Sequence, residues 1–269
     1  MWLSVDQARV FAATGGRPFD PGRPCIVFVH GAGMDHSVWA QQTRYFAHHG
    51  FAVLAPDLPG HGRSEAPPLE SVTALATWMS RVFDAAGAGT AALVGHSMGA
   101  LVALESASQV PERITALALL AISFPMAVHD GLLASAAANE HRALDLINNW
   151  AHSHGAQIGR NAVPGLWLTG GSIRLLEAAA DGVVHTDLKA VKNYDRGFDA
   201  AAKVRCATLL VLGEHDRMTP PKGAHALAER MAGHKTVVIP ACGHMVMTEQ
   251  PDRVRGELLA HLRALVTVP

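Results

Sequence analysis

Cysteine is scarce in this chain, and the three that occur, Cys25, Cys206 and Cys242, cannot all pair with one another. None stands in a Cys-x-x-Cys arrangement, which speaks against a disulfide framework or a zinc site and for a reducing compartment. Runs of like charge are missing too. With a formal net charge of -1 and no cluster of lysines and arginines, nothing draws the chain to nucleic acid or to an anionic membrane. No apolar stretch is long enough to span a bilayer, and Met1-Trp2-Leu3-Ser4-Val5-Asp6 lacks the basic and apolar segments of a secretory leader. Groups with metal-ligand spacing are also missing, since His152-Ser153-His154 is too little for a site and reads as an exposed pair. These absences point to a cytoplasmic protein with a small-molecule substrate, no membrane or nucleic-acid partner, and no metal or other cofactor.

What the chain has instead is apolar mass. Hydrophobic residues make up 49% of its 269 positions and charged ones 17%, a balance that belongs to compact globular proteins rather than disordered ones. This length fits one large α/β domain, with room for an inserted subdomain. Residues 2–5 and 9–13 read as two short strands forming a hairpin at a sheet edge. Residues 25–29, 51–55, 90–94 and 114–122 are short, nearly continuous apolar runs of the kind found in strands covered on both faces. Residues 37–49, 71–86 and 98–107 carry helical spacing between them. Alternation of strand and helix predicts a parallel sheet with helices on both faces. The rhythm breaks at 124–195, which contains helical pieces at 131–151 and 172–180 but no convincing strand. It resumes with strands at 207–212 and 235–239, a helix at 222–231 and a closing helix at 251–266. The expected organisation is therefore a core of 1–123 and 196–269 with a helical cap inserted at 124–195.

Strand 90–94 runs into helix 98–107 through Gly95-His96-Ser97-Met98-Gly99. This Gly-x-Ser-x-Gly elbow forces the serine into a strained turn, removes β-carbons at the two closest approaches, and lifts the hydroxyl to a helix N-terminus. A serine nucleophile needs a base, and the base an orienting acid. His244, in Cys242-Gly243-His244, and Asp216, in Gly213-Glu214-His215-Asp216, each follow a strand end on the edge where Ser97 lies. Glu214 and Asp187 are the rivals of Asp216. The oxyanion hole is expected from the Met98 N–H and one donor of His30-Gly31-Ala32-Gly33, either Ala32 or Gly33, with Ala32 the choice. In Asp57-Leu58-Pro59-Gly60-His61-Gly62-Arg63-Ser64 the aspartate is expected to tie the loop through neighbouring N–H groups, a structural role.

In their order, His30-Gly31-Ala32-Gly33, the 57–64 loop, the 95–99 elbow, Gly213-Glu214-His215-Asp216 with Pro220, and Gly243-His244 with Glu249-Gln250-Pro251 resemble the α/β-hydrolase fold superfamily, in its lid-bearing branch of esterases and carbon-carbon bond hydrolases. The resemblance covers nearly the whole chain and implies a mostly parallel eight-stranded sheet. Serine at position 97 departs from the members that open epoxides or displace halide, which carry aspartate there. It implies an acyl-enzyme cycle, with a carboxylic ester of a small or medium acyl group as the leading substrate. Cleavage of a carbon-carbon bond by the same residues is the alternative, and a ligand-binding receptor with little turnover is the alternative of another class. Gly31, Gly33, Met34, His96, Met126, Trp150, Trp167 and Met245 are expected to face the substrate in a mainly apolar pocket. Arg142, Arg160 and Arg174 are the cap charges that could read an anionic one.

Overall fold

A computed structural model describes residues 1–160 and 162–265. Eight strands form one sheet in the order β1-β2-β4-β3-β5-β6-β7-β8. They are β1 (Trp2–Val5), β2 (Ala8–Ala13), β3 (Cys25–Val29), β4 (Ala52–Pro56), β5 (Ala91–His96), β6 (Ile114–Leu120), β7 (Ala207–Gly213) and β8 (His234–Ile239). The first two form an antiparallel hairpin whose second strand pairs antiparallel with β4, and every other pairing is parallel.

The unbroken apolar runs of the central strands are explained by two cores. Val27, Val29, Leu117, Leu119, Leu210 and Leu212 point into one, with α2 (Val72–Ala86) and α3 (Met98–Gln109) laid over them. Ile26, Phe28, Ala118, Leu120, Leu209 and Val211 point into the other, beneath α1 (Ala40–Ala47) and a C-terminal helix, Pro251–Leu262. A strand alternates its side chains between faces, so a sheet covered twice must be apolar at successive positions.

Between β6 and β7 the chain forms α4 (Asp130–Ala137), α5 (His141–Ala151), α6 (His154–Gln157), α7 (Leu168–Glu177), α8 (Val183–Lys192) and α9 (Gly197–Lys203). Leu132, Ala136, Ala143, Ile147, Leu176, Val184 and Leu188 of α4, α5, α7 and α8 make a separate apolar cluster. Three helices depart most from the sequence reading. The single helix expected at 131–151 is two, divided where Asn139 takes a left-handed conformation with φ 51°. The helix expected at 222–231 is only a 3₁₀ turn, Pro221–Ala224, followed by α10 (His225–Ala228). A short α11 (Val246–Glu249) precedes α12 (Pro251–Leu262), which passes into a 3₁₀ turn at Arg263–Leu265; Val266, included in the expected closing helix, lies outside the described residues. Among the described residues no helix is long and apolar enough to cross a membrane.

Candidate active site

Ser97 stands between β5 and α3 with φ 54° and ψ -119°, a left-handed region that a residue with a β-carbon occupies only under strain. The turn is held by its neighbours: the Ser97 N–H donates to the Leu120 carbonyl at 3.0 Å and the Ala100 N–H to the Ser97 carbonyl at 2.9 Å. A β-carbon on Gly95 would overlap the Gly99 carbonyl, and one on Gly99 would overlap the carbonyls of Val29 and His30. All of these obstacles are backbone, so both positions require glycine.

His244 and Asp216 meet. The His244 Nδ1–H donates to Asp216 Oδ2 at 2.8 Å, with both side chains buried, so Nδ1 is taken and Nε2 is the nitrogen left to act as a base. Asp216 is gripped from its own loop as well. Its Oδ1 accepts the N–H groups of Met218 (2.9 Å) and Thr219 (2.8 Å), and its Oδ2 accepts the Thr219 hydroxyl at 2.6 Å. Burial opposes ionisation of this carboxyl, but the charge and hydrogen bond of His244, with those of Thr219, hold its pKa below the usual carboxylate value. The rivals are engaged elsewhere: Glu214 accepts the Ala241 N–H on the surface, and Asp187 is paired with His61. Thr219 was not singled out from sequence. Its signal is a hydroxyl three residues after an aspartate, the spacing of a side-chain-closed turn.

Ser97 and His244 open into a cavity of about 480 Å³. Of the residues expected around a substrate, Gly31, Met34, His96, Met126 and Trp150 line it, as does Ala32. Met98 is buried in the core, so its expected part falls to its main-chain N–H at the first turn of α3, where helix donors lack intrahelical partners. Three expectations are corrected. Trp167 is 75% exposed and packs over Gly170 instead of facing the cavity. Met245 is buried in the sheet core beside Val246 and Met247. Gly33 gives its N–H to Asp187 Oδ2 at 2.8 Å and is therefore occupied as a donor. Arg142, Arg160 and Arg174 are absent from the cavity wall, whereas Arg217, from the core loop after Asp216, contributes to it.

Burial keeps two imidazoles beneath the site neutral. His30 donates from Nδ1 to the Gly31 carbonyl and accepts the Leu58 N–H at Nε2, and burial lowers its pKa to about 4. His96 donates from Nε2 to the His244 carbonyl at 3.0 Å, and burial together with the nearby His244 lowers its pKa to about 3. Asp57 ties its loop as expected, accepting the His36 N–H and ring Nδ1–H at Oδ1 and the Arg63 N–H at Oδ2. Asp35, His36 and Asp57 bring possible metal-ligand atoms within 4.8 Å of one another, yet Asp57 is engaged by these bonds and Asp35 by the Ser37 N–H.

A sequence profile described as the alpha/beta hydrolase family matches residues 26–257. The chain belongs to the alpha/beta hydrolase family. It is 25% identical over 248 residues to an (E)-2-((N-methylformamido)methylene)succinate hydrolase from Acinetobacter baylyi, with 90% of each chain covered. A thermophilic esterase of known structure superposes with a TM-score of 0.82 and 26% identity, covering 98% of this chain and 97% of that one. An enol-lactonase from Burkholderia xenovorans LB400 gives a TM-score of 0.86 over 98% of this chain and 100% of its own, at 21% identity, a likeness of fold. Hydrolases named for different substrates thus share this framework.

Proposed function

We propose that the protein is a serine hydrolase that cleaves a carboxylic ester of a small or medium, mainly apolar acyl group through an acyl-enzyme. The observation that carries the reading is the junction of Ser97 and His244 in one cavity with Asp216 bonded behind the imidazole. His244 Nε2 accepts the Ser97 proton as Oγ attacks the ester carbonyl, and the imidazolium then protonates the leaving alcohol. Water activated by the same nitrogen releases the acid. The N–H groups of Ala32 and Met98 hold the oxyanion in both halves of the cycle. Asp216 keeps the proton on Nδ1, and Thr219 keeps Asp216 in place. Met126, Val128, Leu132, Ile147, Leu188 and Val191 give the cavity an apolar wall, which suits a hydrocarbon acyl chain.

The test is turnover of a short p-nitrophenyl ester by the wild type and by Ser97→Ala. The variant should fold and lose about a millionfold in rate; retention of a tenth of the activity removes Ser97 from this role. Running vinylogous diketones beside the ester panel decides between ester and carbon-carbon bond cleavage by the same residues.

A further inference from the structure

The turn that carries Ala32 is fastened from the helical segment. The Met34 N–H donates to the Gly31 carbonyl at 3.3 Å, closing Gly31-Ala32-Gly33-Met34, and Gly33 takes φ 66° at its third position. In such a turn the central peptide, here Ala32–Gly33, has two orientations related by a half-rotation. The Gly33 N–H points to Asp187 Oδ2 at 2.8 Å. Flipping the peptide would set the Ala32 carbonyl against a buried carboxylate, so Asp187 selects one of the two. A β-carbon on Gly33 would meet the side chains of Val184 and Leu176, at 2.9 and 3.2 Å, so α8 and α7 press on the turn as well. Asp187 follows Val184 by three residues on α8, which also lines the cavity with Leu188 and Val191.

The carboxylate has a second partner. His61, buried like Asp187, has Nδ1 3.0 Å from the Pro59 carbonyl and Nε2 2.7 Å from Asp187 Oδ2. A carbonyl and an ionised carboxylate only accept, so opposite the ionised Asp187 both nitrogens of His61 donate and the ring is an imidazolium. Burial opposes that charge, but Asp187 outweighs it and raises the His61 pKa. A buried ion pair of this kind is weak evidence for added stability, since desolvation offsets much of the attraction. Its location beside the Ala32 turn suggests a positional use.

We propose that Asp187 is a positioning residue for the oxyanion hole: carried on α8 and anchored by His61, it ties down the Gly33 N–H and with it the Gly31–Met34 turn, so that the Ala32 N–H, one peptide upstream, stays trained on the reacting carbonyl. This rests on the serine-hydrolase reading above. Misplacing one donor costs less than removing it, which is worth about 10²–10³ in rate.

The experiment compares Asp187→Asn and Asp187→Ala in the full chain by steady-state kinetics on a p-nitrophenyl ester and by inhibition with phenylboronic acid, whose serine adduct mimics the tetrahedral intermediate. Asp187→Asn should lose about tenfold in kcat and Asp187→Ala up to about a hundredfold, with KM within about threefold of wild type. The boronate Ki should rise by the factor by which kcat/KM falls. Unchanged kcat in a folded variant overturns the proposal, as does lost rate with an unchanged boronate Ki, or a raised KM at constant kcat. If neither variant folds, the carboxylate is holding the fold rather than the turn, and the proposal fails. Ser97→Ala run in parallel separates the readings: its activity disproves the serine mechanism, whereas its inactivity beside a normal Asp187→Ala disproves only the positioning role.

Discussion

Replacing His30 with glutamine should flatten part of the acid instability of this protein. In the folded state the His30 ring is wholly buried, donates to the Gly31 carbonyl, accepts the Leu58 N–H, and has a pKa lowered from 6.5 to about 4. The unfolded chain therefore takes up the proton first as the pH falls. Stability from the neutral ring is fully present above pH 6.5 and is lost on the way down toward pH 4. At about 1.4 kcal/mol per pH unit, the loss is about 2 kcal/mol between pH 7 and pH 5 and about 3 kcal/mol by pH 4. His30→Gln does not titrate there. Its amide cannot serve both partners with the ring's spacing, so it should be less stable than wild type at pH 7 by about 1–3 kcal/mol. The gap should narrow by about 2 kcal/mol at pH 5. Urea unfolding followed by tryptophan fluorescence at the two pH values gives both numbers, with equal m-values as the check that only stability has moved. His96 loses stability with acid in the same direction and His61, whose pKa is raised, in the opposite one; both occur in the two proteins and cancel in the difference apart from their charge coupling to His30. Parallel pH dependence in wild type and variant would refute the argument.

Asp216→Asn should leave ground-state binding intact and lower kcat by about 10⁴, because the amide favours the wrong imidazole tautomer; if Glu214→Gln does more damage in the same assay, the acid is misassigned. Thr219→Val should cost much less, about tenfold in kcat, by freeing Asp216 Oδ2 of one of its donors; an unchanged pre-steady-state burst would show that the hydroxyl holds nothing of consequence. Along a series of neutral p-nitrophenyl esters, kcat/KM should climb by up to about 0.8 kcal/mol of transition-state stabilisation per methylene and stop when the cavity is full. A preference for anionic acyl groups that disappears in Arg217→Gln would transfer recognition to that arginine and refute the apolar-pocket reading.

The sheet was legible because its strands carry their evidence locally: a strand buried on both faces is apolar at consecutive positions, and 25–29 or 207–212 cannot be read otherwise. The convergence of Ser97, Asp216 and His244 was legible because a parallel sheet brings strand ends to one edge, whatever the distance along the chain. The helical segment had no such rule. Its helices pack by side-chain shape, so the sequence does not separate Trp150, which lines the cavity, from Trp167, which packs over Gly170. Asn139, which divides the helix expected at 131–151, was the overlooked sign, since a short polar side chain tolerates the left-handed conformation. Asp187 was weighed only as a rival acid. Its partners Gly33 and His61 lie 154 and 126 residues away, and no local pattern links them.

Residues 124–195 look like a cartridge that could be exchanged between homologous enzymes, but their hydrogen bonds say otherwise. The Ala151 carbonyl accepts the N–H groups of His244 and Met245, at 2.9 and 3.2 Å, and Glu249 bridges the Ser153 and Gly243 N–H groups at 3.1 Å each. The loop that presents His244 is thus moulded partly by Ala151 and Ser153, from the helical stretch between β6 and β7. A chimera that imports a foreign segment inherits whatever backbone that donor places at 151–153, and it will be repositioned at its histidine before any new substrate reaches it.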